Sequence, residues 1–165
     1  MKKLILIRHA SAEATNENSG DIGRHLTDDG RKKSAGMASK LADLQIVPDI
    51  IISSPAVRAL ETAEIFAEIL GFPVNQIVQE KVIYDGGDSR DFFGCLDGLD
   101  DDIKTAVMVG HNPTLSEFGW YLCPRFRGNM KKAAMLGIGF DDSDWSSIIP
   151  GRGKLLFYRT SEKDK

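Results

Sequence analysis

Leu4-Ile5-Leu6-Ile7-Arg8-His9 decides how this chain is read. Four consecutive apolar residues are too few for a helix and lack polar alternation, as expected of a strand buried on both faces. Arg8-His9 then ends the run with two groups suited to an anion. The same grammar recurs twice. Residues 50–52 run into Ser53-Ser54-Pro55-x-x-Arg58, and residues 106–109 run into Gly110-His111-Asn112-Pro113. Longer stretches with helical spacing separate these runs, so strand and helix alternate as in βαβ units. The expected fold class is α/β, with a mostly parallel sheet.

The intervening segments carry helix signals. After a polar loop over residues 10–25, Thr27 can cap a helix whose positive end suits Asp28 and Asp29. Ala35, Met37, Ala38, Leu41 and Leu44 form its expected inward stripe, and Pro48 lies beyond its end. A second helix is expected to open with Ser54 as N-cap and Pro55 in first position, and to close at Gly71. Val57, Leu60, Ala63, Ala67 and Leu70 are its expected stripe. A third is expected over residues 88–99, burying Phe92, Leu96 and Leu99. In the fourth, Asn112 caps, Pro113 follows, and Leu115, Phe118 and Leu122 face inward. Beyond Cys123, residues 133–140 and 154–158 read as strands, the second led in by the turn signal Pro150-Gly151-Arg152-Gly153. Residues 1–160 are expected to form a single domain and residues 161–165 a polar tail.

Length and composition narrow the classes. A chain of 165 residues fits one domain, able to bury about 70% of its unfolded surface. With 21 Lys+Arg against 24 Asp+Glu, the net charge of −3 gives no basic footprint for nucleic acid. Cys95 and Cys123 form no CxxC pair, so neither a zinc ribbon nor a disulfide framework is indicated. The apolar run after Lys2-Lys3 stops too early for a signal peptide, and nothing approaches the ~20 apolar residues of a membrane span. A soluble, cytoplasmic protein with no membrane or nucleic-acid partner is expected.

The three strand tips carry the chemistry. Ligands of open α/β sheets sit outside the carboxyl ends of the strands. Helix N-termini following two of the tips are expected to offer free backbone N–H groups to a phosphate. Arg8 and Arg58 can each grip phosphate oxygens with a planar fork. Two fixed positive charges would oppose a divalent cation, and no HxH or HExxH spacing is present. The set instead suits a dianionic phosphoryl group, with imidazole as nucleophile. The arginines disfavour protonated imidazole, so His9 is expected neutral at pH 7. Each feature also has an ordinary structural reading as a cap or turn, and His25, in a loop before a helix cap, is read as structural. Three such tips in succession favour one shared anion site.

At these residues the chain resembles the histidine phosphatase superfamily, of phosphoglycerate mutase-like fold, and within it the short SixA-like phosphohistidine phosphatases. The matching pieces are Leu4-Ile5-Leu6-Ile7-Arg8-His9, Arg24-x-Leu26-Thr27-x-x-Gly30, Ser53-Ser54-Pro55-x-x-Arg58-Ala59-x-x-Thr62-Ala63 and Val109-Gly110-His111-Asn112-Pro113. Trp145 and Gly151-x-Gly153-x-Leu155 also look like that family, so the likeness runs over nearly the whole chain. It implies a three-layer α/β/α sandwich and a phosphatase needing neither metal nor cofactor. His9 would be the phosphorylated nucleophile, and Arg8, Arg58 and His111 would bind the phosphoryl group. Ser11 and Asn112, beside the tips, join the expected phosphate-binding set.

Two departures stand out. Ala10 replaces the glycine that usually follows Arg-His, which puts the path of that loop in question. The general acid of many relatives is matched only by Glu80, with Asp85 as second candidate. A phosphoramidate leaves readily once its nitrogen is protonated, so phosphohistidine in a protein is the favoured substrate and the phosphorylated protein the expected partner. The short segment over residues 83–105 implies an open site able to admit a protein side chain. The alternatives are a phosphatase of a small phosphorylated molecule (an ester or anhydride, with Glu80 as acid) and a non-catalytic phosphate-binding module. The basic residues Arg125, Arg127, Lys131 and Lys132, and the acidic run Asp100-Asp101-Asp102, are read as solvated surface and turn.

Overall fold

The computed structural model describes residues 1–162. Its six strands are β1 (Lys2–Arg8), β2 (Ile50–Ser53), β3 (Val78–Gln79), β4 (Thr105–Gly110), β5 (Met135–Phe140) and β6 (Lys154–Arg159). They form one sheet in the order β3-β2-β4-β1-β5-β6. Strands β1 to β4 pair in parallel, whereas β5 runs antiparallel to both β1 and β6.

Alternation along the central strands builds two cores. Leu4 and Leu6 of β1 join Ala106, Met108, Leu136 and Ile138 on one face, under helices α3 (Ser89–Asp97) and α4 (Thr114–Leu122). Ile5 and Ile7 join Ile51, Val107, Val109 and Met135 on the other, under α1 (Asp28–Asp43) and α2 (Val57–Leu70). The result is the expected three-layer α/β/α sandwich around a mostly parallel sheet. Each fully buried aliphatic side chain contributes about 1.5–3 kcal/mol, so the unbroken run over residues 4–7 is itself a major anchor.

Local signals set most element ends. Thr27 caps α1, its hydroxyl accepting from Gly30 N at 3.0 Å. A Cβ on Gly30 would lie 2.2 Å from the Ser11 carbonyl oxygen, so glycine lets α1 close onto the loop that leaves β1. Gly71 ends α2 with φ 75°, a conformation costly for other residues. Asp88 and Asp91 close a reciprocal capping box on α3.

Several expectations are corrected. Leu44 is exposed, because α1 has already ended, and Ser34 takes an inward position. Helix α2 starts at Val57 rather than Pro55, and its buried face is Arg58, Ala59, Thr62, Ala63, Phe66 and Ala67. Relative to the expected stripe the helix is rotated, which turns Arg58 and Thr62 toward the strand tips. Leu99 lies beyond α3 and is only partly buried. The strand expected over 133–140 begins at Met135, since Ala133 sits at φ 63°. Strand β3 was not among the expected strands, and both its residues are exposed. Of the tail, Glu162 pairs with Lys131 at 2.7 Å, and residues 163–165 lie outside the described residues. Among the described residues, no helix is long and apolar enough to cross a membrane.

Candidate active site

Register brings the three tips together. Arg8 lies opposite Gly110, and Ser53 opposite Val109. Two backbone bonds continue the ledge past the strands: His9 N donates to Gly110 O at 3.1 Å and Ser54 N to Val109 O at 3.0 Å. The rings of His9 and His111 consequently lie 5.1 Å apart, tilted by 59°.

His9 is 8% exposed. Its Nδ1 lies 2.7 Å from the Ala10 carbonyl oxygen. A carbonyl only accepts, so Nδ1 carries the proton and Nε2 presents a lone pair. That Nε2 faces Arg58 Nε at 3.4 Å. Burial first, then the charges of Arg58, Arg8 and Arg24, push the His9 pKa down to about 4, while the Ala10 bond works the other way. The imidazole is therefore neutral at pH 7, with burial rather than the arginines as its largest cause. Ala10 itself is buried without a positive φ, so the loop accommodates alanine where glycine is usual.

His111 places Nε2 2.7 Å from Ser54 Oγ and leaves Nδ1 buried with no partner among the described residues. Burial, followed by repulsion from His9 and Arg58, pushes its pKa down to about 3. Arg8 donates through one amino group to Met130 O at 2.8 Å, and its Nε is likewise buried and without a partner among the described residues. An oxyanion site needs unspent donors before its ligand arrives; Arg8 Nε–H is one, and His111 Nδ1 is a second where it carries the proton.

Arg58, 5% exposed, is held by a residue the sequence reading missed. One amino group donates to Asp21 O at 2.8 Å and the other to the Asp21 carboxylate at 3.1 Å. The same carboxylate accepts from Tyr84 Oη at 2.9 Å and Arg24 Nε at 3.1 Å. These bonds, that of Tyr84 foremost, hold the Asp21 carboxyl below its usual range. Tyr84 also meets the His111 ring edge-on, 5.8 Å between centroids. Arg24 stood in a quoted motif, so its spacing to Asp21 was available as a signal; nothing local marked Tyr84. Thr62 accepts from Ala10 N at 3.4 Å and donates to Arg58 O, tying the His9 loop to α2.

The remaining candidates fall outside this cluster or serve it indirectly. Asn112 spends its amide on Met130 O at 2.8 Å and its oxygen on Ser116, so it shares an acceptor with Arg8 and orients that loop. Ser11 offers its carbonyl to Thr27, and its hydroxyl makes no hydrogen bond among the described residues. The Glu80 side chain makes none either; its charge acts on Cys95, whose thiol burial and the neighbouring carboxylates push up to about 11. Asp85 pairs with Lys81 at 3.7 Å. His25 is largely exposed beside Glu61. Of the backbone N–H groups at the two helix starts, several are occupied: Ala56 N donates to Ser54 Oγ, Val57 N to Ile22 O, and Ser116 N to Asn112 Oδ1. Beside it opens a cavity of about 350 Å³ lined by Ile22, Pro55, Gln79, Lys81, Tyr84 and Asp85. Among the described residues, no group of three or more His, Cys, Asp or Glu side chains is placed to hold a metal ion.

Fold and site together define an α/β protein with a cationic, two-histidine pocket at the carboxyl edge of its sheet. The chain belongs to the histidine phosphatase superfamily, whose branch 1 model matches residues 4–80. It is 32% identical over 163 residues to the serine/threonine-protein phosphatase Pgam5, mitochondrial, of Drosophila ananassae, covering 95% of this chain and 49% of that protein. The chain thus spans about half the length of that relative. It is 30% identical over 166 residues to an uncharacterised protein of Picosynechococcus, covering 98% of this chain and 97% of that one. In fold it is similar to the protein histidine phosphatase SixA solved with tungstate, at a TM-score of 0.75 and 20% identity, over 96% of this chain and 97% of that one.

Proposed function

We propose that the protein is a phosphatase working through a covalent phosphohistidine on His9, with phosphohistidine in a protein as its substrate. The observation that carries the reading is the His9 ring itself: neutral, with Nδ1–H committed to Ala10 O and the Nε2 lone pair left beside Arg58. In the first step Nε2 attacks phosphorus in line. The bond from phosphorus to the leaving nitrogen breaks, and its electron pair stays with an imidazole already protonated by solvent. In the second step water attacks phospho-His9, the P–N bond returns its electrons to Nε2, and inorganic phosphate departs. Arg8, Arg58 and His111 surround the transferring group and stabilise its equatorial oxygens, where most of the catalysis of phosphoryl transfer lies.

Three features support this substrate class. Glu80 makes no bond to the cluster, which suits a leaving group that needs no strong protein acid. The cavity is lined by Tyr84, whose ring meets His111 edge-on, and leaves room for a projecting side chain on that flank of the site. Among the relatives, Pgam5 is named a protein phosphatase and SixA a protein histidine phosphatase.

The test compares pure protein on a phosphohistidine peptide, a phosphoserine peptide and a small phosphate ester. Preferential turnover of the first, abolished in His9→Ala, is expected. Preference for the small ester would replace the substrate class. Tight phosphate binding with no turnover of any of the three would make the chain a binding module.

A further inference from the structure

Ser54 is fully buried, directly before the α2 segment, and its hydroxyl has two partners among the described residues. Ala56 N donates to it at 3.1 Å, which occupies one lone pair. His111 Nε2 lies on its other side at 2.7 Å. A serine hydroxyl has one proton to give and two lone pairs to receive with. If His111 donated from Nε2, the Ser54 proton would be left without an acceptor among the described residues, and Nδ1 of His111 would be a buried lone pair facing no donor. If Ser54 donates to Nε2, both of those groups are accounted for and only Nδ1–H remains free. The neighbouring Ser53 hydroxyl does not compete, since it donates to the Ser54 carbonyl.

We propose that Ser54 is a positioning residue that fixes His111 as the Nδ1–H tautomer, so that the second imidazole meets the phosphoryl group as a hydrogen-bond donor. Both histidines then carry their proton on Nδ1 and do opposite work. His9 donates Nδ1–H to Ala10 O and keeps its Nε2 lone pair, which faces Arg58 Nε–H in the resting protein, as the nucleophile. His111 uses its lone pair on Ser54 and keeps Nδ1–H free; Arg8 Nε–H is likewise a buried donor without an acceptor among the described residues. A lone pair in that place would repel a phosphate oxygen. Only the catalytic consequence rests on the phosphatase reading; the tautomer is a property of the resting protein.

The chain has three histidines, so long-range ¹H–¹⁵N spectra of ¹⁵N-histidine-labelled full-length protein can resolve each ring. Expected for His111 is a protonated Nδ1 and an unprotonated Nε2 at pH 7. Titration with inorganic phosphate should move the Nδ1 resonance. A protonated Nε2 in the wild-type protein overturns the proposal without any variant. Ser54→Ala should give a tautomer mixture at His111 and about tenfold weaker phosphate binding, and Ser54→Thr, which keeps the hydroxyl, should restore both. Unchanged tautomer and affinity in a folded Ser54→Ala protein would also overturn it. Should the wild type show the expected tautomer yet turn over no phosphorylated substrate, the functional reading fails and the assignment of Ser54 stands.

Discussion

The site has two halves that differ in how they are built. Arg8, His9, Ser54 and His111 stand at the ends of neighbouring parallel strands, so sheet register alone places them. Asp21, Arg24 and Tyr84 arrive from loops and meet through side chains around the Asp21 carboxylate. Arg58 joins the halves, giving Nε to His9 and both amino groups to Asp21. The strand half is stiff because displacing it would break the ladder and the core beneath. The loop half depends on a few solvent-touched polar bonds, which are individually weaker.

That contrast ranks the expected effects of substitution. Arg58→Lys replaces the planar fork by a point charge and severs both halves at once. A fall in kcat/KM of about 10²–10³-fold is expected, read in steady-state kinetics. Asp21→Asn keeps the shape but removes the charge that holds Arg58, and should cost about tenfold. An Asp21→Asn loss as large as that of Arg58→Lys would erase the distinction between the halves. Tyr84→Phe deletes one bond to Asp21 and leaves the ring against His111, so about threefold or less is expected. Glu80→Gln should leave kcat/KM for a phosphohistidine substrate within about twofold, since general acid help, where a residue supplies it, is worth 10²–10⁴-fold.

Protonation tests the strand half separately. His9 and His111 are held neutral well below the ordinary 6.5, at about 4 and about 3. As pH falls below 6.5 the unfolded chain takes up protons that the native state refuses, so stability drops, by about 1.4 kcal/mol per pH unit for each histidine. The loss begins near 6.5 and levels off once the native rings themselves protonate. Urea unfolding at successive pH values should show this slope, and saturating phosphate should flatten it, because a bound dianion favours the protonated rings. A flat profile between pH 6.5 and 4.5 without phosphate would mean the rings are better solvated than the structure has them.

The same division explains what the sequence made legible. The apolar runs over residues 4–7, 50–52 and 106–109, each ending in anion-suited residues, named the central strands and brought out Arg8, His9, Arg58 and His111. Caps such as Thr27 and Gly71 were equally visible, being local chemistry. Side-chain partnership across the chain was not. Asp21 bonds to residues 37 and 63 positions away, and no local pattern states such a pairing. Ser54 looked like a helix cap and does bind a backbone N–H, but its register to His111, 57 positions on, gives it a second partner. Asn112, expected at the phosphate, holds Met130 and Ser116, partners that no local pattern states. Strand β3, with both side chains exposed, forms because it finds the open edge of β2, not because its residues ask to be buried.

One measurement addresses the central claim directly. The protein is incubated with a labelled small phosphodonor, quenched in alkali, and the phosphorylated residue and ring nitrogen are mapped by mass spectrometry and phosphorus NMR. The account predicts an alkali-stable, acid-labile phosphoryl group on Nε2 of His9 and on neither His25 nor His111. Label on His111, or turnover continuing with His9 unmodified throughout, would contradict it.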